Sequence, residues 1–106
     1  MGPDTETTEP AWAFLRLFDN PDGSQEQYDA AREQLGVTSD NMPEGALLHV
    51  AGPSPTGGWR VTEIWESEEA AQKFDNETLL PLLEKVGVQR PEPTVWQVHN
   101  LVMRGA

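Results

Sequence analysis

Apolar residues alternate with polar or second-face residues along four stretches of the chain, and recur with helical spacing along two others. The alternating stretches predict strands over Ala11–Phe18, Gly45–Ala51, Trp59–Glu66 and Thr94–Val102. Between the first two, the turn formers Asp19-Asn20-Pro21-Asp22-Gly23 end the strand. Ser24 and Gln27 then have the spacing of a capping box. Tyr28, Ala31 and Leu35 share one helical face, and Gly36 stops the helix as a C′ residue. After the third strand, Ser67 caps a second helix, with Glu68 and Glu69 at its positive end. Asp75-Asn76 interrupts that helix. It resumes over Thr78–Val86 with Pro81 in its first turn, and Gly87 stops it.

The predicted order is therefore βαββαβ. With right-handed crossovers this is an α+β, ferredoxin-like fold: a four-stranded antiparallel sheet with the helices on one face. Parity divides the strand residues into two sets. Ala13, Leu15, Leu17, Leu48, Val50, Thr62, Ile64, Trp96 and Val98 form an almost wholly apolar set, suited to packing beneath the helices. The other set contains Trp12, Phe14, Arg16, Phe18, Leu47, His49, Ala51, Trp59, Val61, Glu63, Trp65, Val95, Gln97, His99 and Leu101. It mixes aromatic rings with titratable groups, and a monomer would leave it as a large wet apolar patch. Two such sheets face to face would enclose a small-molecule pocket walled by tryptophans. Across the Gly52–Gly58 loop, His49 and Glu63 fall opposite or diagonal to each other on that face.

The length, 106 residues, suits one domain: residues 1–10, acidic and proline-containing, read as a disordered leader, and 11–106 as a single domain. The net charge of −11 argues against nucleic acid and anionic membranes as partners. The sequence has no cysteine, which removes disulfides, thiolate catalysis and zinc–thiolate sites. Neither a signal-peptide h-region nor a membrane-spanning apolar run is visible, so a cytoplasmic protein is expected.

The βαββαβ order, with LLHVAGP (47–53), GGWRVTEIWES (57–67) and the closing VHN (98–100), resembles the dimeric α/β-barrel superfamily. Within it, the chain is similar to the antibiotic biosynthesis monooxygenase-like group. The resemblance spans residues 11 to about 102. It implies a homodimer with each sheet closing on its twin. Members of the superfamily include cofactor-free oxygenases, polyketide cyclases, isomerases and haem-handling enzymes.

The candidate chemistry lies with Arg16, His49, Glu63, Gln97 and His99. Each also has a plain structural role open to it, as an ion-pair or interface residue. In the catalytic reading His49 is a general base oriented by Glu63, while Arg16 and Gln97 hold an oxygen as charge develops on it. Trp12, Phe14, Trp59, Trp65, Gln97 and His99 would line the substrate site. The expected function is a cofactor-independent enzyme of secondary metabolism. It would be a cyclase or proton-transfer catalyst acting on a polyketide-like or aromatic molecule. The alternatives are a cofactor-free monooxygenase and a non-catalytic small-molecule-binding dimer. A metal set of His49, His99 and Glu63 has no local sequence support, and neither metal nor haem is expected.

Overall fold

The computed structural model describes residues 13–104; the expected leader and Trp12 lie outside them. The chain folds as β1 (Phe14–Asn20), α1 (Gln25–Leu35), β2 (Ala46–Pro53), β3 (Trp59–Trp65), α2 (Glu68–Phe74), a π-helical turn (Asp75–Leu79), α3 (Leu80–Val86) and β4 (Thr94–Gln97). The strands lie in the order β2-β3-β1-β4, every neighbouring pair antiparallel. This is the expected ferredoxin-like sheet, with β2 and β4 outermost.

Local chemistry sets the boundaries. Ser24 Oγ accepts a hydrogen bond from the Gln27 N–H, and Ser67 Oγ one from Ala70. Gly36 and Gly87 end α1 and α3 in the left-handed conformation. Gly58 also has positive φ, and a Cβ there would collide with the backbone of Asn20 and Pro21. Only glycine lets the β2–β3 hairpin approach the end of β1 so closely. β4 is shorter than its sequence pattern predicts: it ends at Gln97, after which the Val98 N–H bonds Ala13 O.

Leu47 and Leu101 apart, the two sets of described strand residues are those that parity gave, but the helices cover the opposite one. Trp65, Phe14 and Ala71 form a buried cluster with Phe74 and Ala70, so α2 packs on the aromatic face. Arg16 bonds Asp75 of the π turn, and His49 meets Tyr28 of α1. The set expected beneath the helices lies on the other face, where Ala13, Ile64 and Val98 gather Leu15 and Leu48 around them. That face is open at its edges: Val50 is 55% and Trp96 46% exposed. Alternation separates two sides of a sheet but carries no information about which side a helix will cover, and here both sides have enough apolar surface to be covered. The tryptophan-walled space expected between two sheets is thus a space inside one protomer, between sheet and helices. Leu47 also changes sides. A register shift between Ala46 and Leu48 moves it into the Ala13–Ile64–Val98 cluster, which Leu101 joins from beyond β4. Among the described residues no helix is long and apolar enough to cross a membrane.

Candidate functional site

No residue of α1 is buried, because the helix stands off the sheet over a cavity of about 170 Å³. The sheet supplies Phe18, His49, Trp59, Val61 and Glu63 as its floor. Tyr28, Ala31 and Leu35 of α1 face them, and Leu79, Leu83, Val88 and Arg90 close one side. The tyrosine and two sheet rings form one wall. Tyr28 stacks on His49 with centroids 5.9 Å apart, and lies 5.5 Å from Trp59 at a tilt.

Beneath this cavity runs a chain of opposite charges. Arg16, buried on β1, donates from Nε and Nη2 to Glu63 Oε1 at 3.2 and 2.8 Å. It also donates from Nη1 and Nη2 to Asp75 at 2.6 and 3.2 Å. Antiparallel pairing puts Arg16 directly opposite Glu63, and the π turn carries Asp75 down to meet it. Asp75 is shared: Arg90 Nη1 lies 3.1 Å from its Oδ2. Both guanidiniums sit near the Phe18 ring, at 5.1 Å for Arg16 and 4.8 Å for Arg90. π turns inside helices frequently mark functional sites. Asp75 opens this one.

Glu63 is the centre of the arrangement. Three donors converge on its Oε1, since Trp65 Nε1 adds a bond of 2.9 Å to the two from Arg16. Its Oε2 faces His49 Nδ1 at 3.5 Å. Burial alone would raise the Glu63 pKa, but the His49 and Trp65 contacts and the Arg16 charge outweigh it and hold it at about 2. Glu63 is therefore ionised and acceptor-only at neutral pH, so the His49 Nδ1 that faces it carries a proton. The other nitrogen, Nε2, faces Tyr28 Oη at 2.7 Å. Burial raises the Tyr28 pKa above the ordinary phenol value, against the pull of Arg32, so the phenol keeps its proton.

Of the residues singled out from sequence, His49, Glu63 and Trp59 line the cavity. His49 and Glu63 are register partners, the direct one of the two placements the hairpin spacing allowed. Arg16 lies behind the lining, and its donors are committed to two carboxylates rather than to a substrate oxygen. Trp65 and Phe14 belong to the adjoining packed cluster. Gln97 and His99 are exposed at β4 and beyond it, away from the cavity. Trp12 lies outside the described residues. Sequence reasoning missed three contributors. Tyr28 was visible only as part of the apolar stripe of α1, and Asp75 only as a helix interruption. Arg90 had no signal beyond its place among turn formers. Among the described residues no three His, Asp or Glu side chains are grouped as a metal centre needs.

No protein-family model matches the chain, and no curated protein sequence is similar to it. Solved structures are similar in fold. A conserved protein from Methanosarcina mazei superposes with a TM-score of 0.64 at 9% identity, over 85% of this chain and 96% of that one. SnoaB, a cofactor-independent oxygenase from Streptomyces nogalater, gives 0.56 at 11% identity, over 85% and 94%. A candidate antibiotic biosynthesis monooxygenase from Deinococcus radiodurans gives 0.53 at 14%, over 89% and 98%. At such identities the likeness is one of architecture: the chain has the ferredoxin-like fold of the antibiotic biosynthesis monooxygenase-like proteins.

Proposed function

We propose that the protein is a cofactor-independent enzyme that moves a proton on a small planar molecule, with Tyr28, His49 and Glu63 as the relay. The observation that carries this reading is the 2.7 Å contact between Tyr28 Oη and His49 Nε2, with Glu63 behind the ring at the wall of a cavity. As the substrate C–H proton moves to the Tyr28 oxygen, the phenolic proton passes to His49 Nε2. The imidazolium that forms is balanced by Glu63, and Arg16 keeps Glu63 charged throughout. His49 acts through Tyr28, not as an open base. Arg16 is a positioning residue. A cavity of about 170 Å³ suits a single ring or a compact fused pair. That favours small-ring enolisation over folding of an extended polyketide chain.

The test follows exchange of the α-protons of 2-indanone with D₂O by NMR. Catalysed exchange is expected, reduced by about 100-fold or more in Tyr28→Phe and His49→Ala, a size typical of acid–base residues. A double variant, Glu63→Gln with His49→Ala, should be no slower than His49→Ala alone, since the two act as one unit. Full exchange in Tyr28→Phe, or additive losses in the pair, would remove the relay. The same carbanion is the entry to cofactor-free oxygenation, and the fold shared with an oxygenase such as SnoaB supports that second reading. There oxygen would take up electrons from the carbanion, so oxygen consumption with a quinol substrate separates it from simple proton transfer.

We also propose that the protein works as a homodimer, and the open sheet face supports this. Its exposed Val50 and Trp96 flank Leu15, Leu48 and Ile64, an apolar surface of the sort that pairs sheets. Sedimentation equilibrium should give a dimer at micromolar concentration, and a monomer for the double variant Val50→Glu, Trp96→Glu. A folded wild-type monomer would overturn the proposal.

A further inference from the structure

Two cations and two carboxylates meet beneath the cavity: Arg16 and Arg90 against Glu63 and Asp75. The proton relay uses Glu63, with Arg16 behind it. Asp75 is buried, does not line the cavity and has no part in that relay. A buried carboxylate is costly unless paired, so its place on the π turn calls for a reason.

The way Arg16 divides its donors supplies one. Nη1 and Nη2 reach the two oxygens of Asp75, Oδ2 at 2.6 Å and Oδ1 at 3.2 Å, as a fork. The other edge, Nε and Nη2, converges on a single oxygen of Glu63, Oε1, at 3.2 and 2.8 Å. Trp65 Nε1 bonds that same oxygen at 2.9 Å. Glu63 Oε2 thus takes no hydrogen bond from Arg16 and faces His49 Nδ1 at 3.5 Å. A guanidinium beside a single carboxylate commonly engages both of its oxygens with two parallel N–H groups. Here that forked contact goes to Asp75, and Arg90 Nη1, 3.1 Å from Asp75 Oδ2, lies beside the same carboxylate.

We infer that Asp75 is a positioning residue for the relay: by taking the Nη1–Nη2 edge of Arg16, it confines Arg16 to Oε1 of Glu63 and leaves Oε2 to hold the His49 proton on Nδ1. Its effect on rate rests on the relay reading; its effect on the imidazole does not. The Tyr28 hydroxyl, 2.7 Å from Nε2, can donate to that nitrogen or accept from it, so this contact does not choose the tautomer. The choice falls to Glu63. If Oε2 turns to Arg16 instead, the proton of the neutral ring is released to Nε2. The nitrogen that receives the phenolic proton in the relay is then closed.

Long-range ¹H–¹⁵N NMR of the imidazole rings tests this without substrate. The chain has two histidines, and His99, exposed beyond β4, is the reference in the same spectrum. At about pH 9, where an ordinary imidazole is neutral, Nδ1 of His49 should be the protonated nitrogen in the wild type. Asp75→Asn leaves Glu63 as the carboxylate of Arg16. It should move the His49 Nδ1 resonance toward that of an unprotonated nitrogen and Nε2 the opposite way, with His99 unmoved. The double variant Asp75→Asn, Arg90→Gln removes one charge of each sign, so a direct effect of charge on the ring largely cancels. It should shift His49 in the same way, and it decides the matter if Asp75→Asn alone does not fold. Arg90→Gln, which leaves Asp75 to Arg16, should match the wild type. Proton exchange on 2-indanone should slow by about fivefold or more in Asp75→Asn, as molecules with Nε2 closed drop out. An unchanged His49 ring in the double variant, or an equal shift in Arg90→Gln, would overturn the inference. The expected ring shifts in a protein that catalyses no exchange would uphold the role of Asp75 and remove the proton relay instead.

Discussion

Replacing Arg16 with methionine is expected to cost about 3–5 kcal/mol at neutral pH, the loss typical of a buried ion pair stripped of one partner. The side chain makes four hydrogen bonds, two to Glu63 and two to Asp75, and all three residues are buried. Methionine fills much of the same volume, so the loss is one of charge more than of packing. Two carboxylates would then lie buried with Arg90 as the remaining guanidinium in contact with either. Without Arg16, burial at Glu63 is opposed only by the His49 and Trp65 contacts, so its folded pKa rises from the wild-type value. The variant then takes up its proton at higher pH than the wild type, and the deficit shrinks as pH falls through that range. Urea unfolding should therefore show a deficit that is large at pH 7 and smaller at pH 3. An equal deficit at both values would assign the loss to packing alone.

The wild-type protein should itself lose stability in acid. Glu63 ionises at about 2 in the folded chain against an ordinary value of 4.5. Its contribution is fully present above about pH 4.5 and is lost as pH falls toward 2. The interval corresponds to on the order of 3 kcal/mol. Glu63→Gln should remove this portion of the acid sensitivity and lower the neutral-pH stability by a similar amount. Unfolding free energies measured from pH 6 to pH 2 check it. Parallel curves for wild type and variant would show that Glu63 is not the group being titrated.

These charges also show what was legible in the sequence. Period-2 alternation paired the correct residues on each face, and the hairpin spacing placed His49 opposite Glu63. Caps at Ser24 and Ser67 and stops at Gly36 and Gly87 are local chemistry and are found where the sequence put them. Helix coverage is not local. Nothing in WRVTEIW says whether a helix or a second sheet will lie over Glu63 and Trp65. A buried Arg16 needs acceptors that only the covering layer supplies, and Asp75 is 59 residues away in sequence. The same holds for Tyr28, whose hydroxyl matters only because β2 brings His49 beneath it. Leu47 was misplaced for a simpler reason, since one bulged residue reverses every parity argument on its near side.

The π turn at Asp75–Leu79 has a further consequence, one of phase. An α-helix advances ~100° per residue, so one residue inserted into its winding rotates everything downstream by about that angle. Upstream of the turn, Ala71 and Phe74 pack on Trp65; at its last residue and beyond, Leu79 and Leu83 face the cavity. Removing a single residue, Asn76 for example, would restore an unbroken helix and swing α3 through that angle. Leu79 and Leu83 would leave the cavity while the packing of α2 stayed in place. The shape of the cavity is thus tied to the length of the chain at one turn, and a one-residue deletion there would remodel it without altering any side chain that lines it.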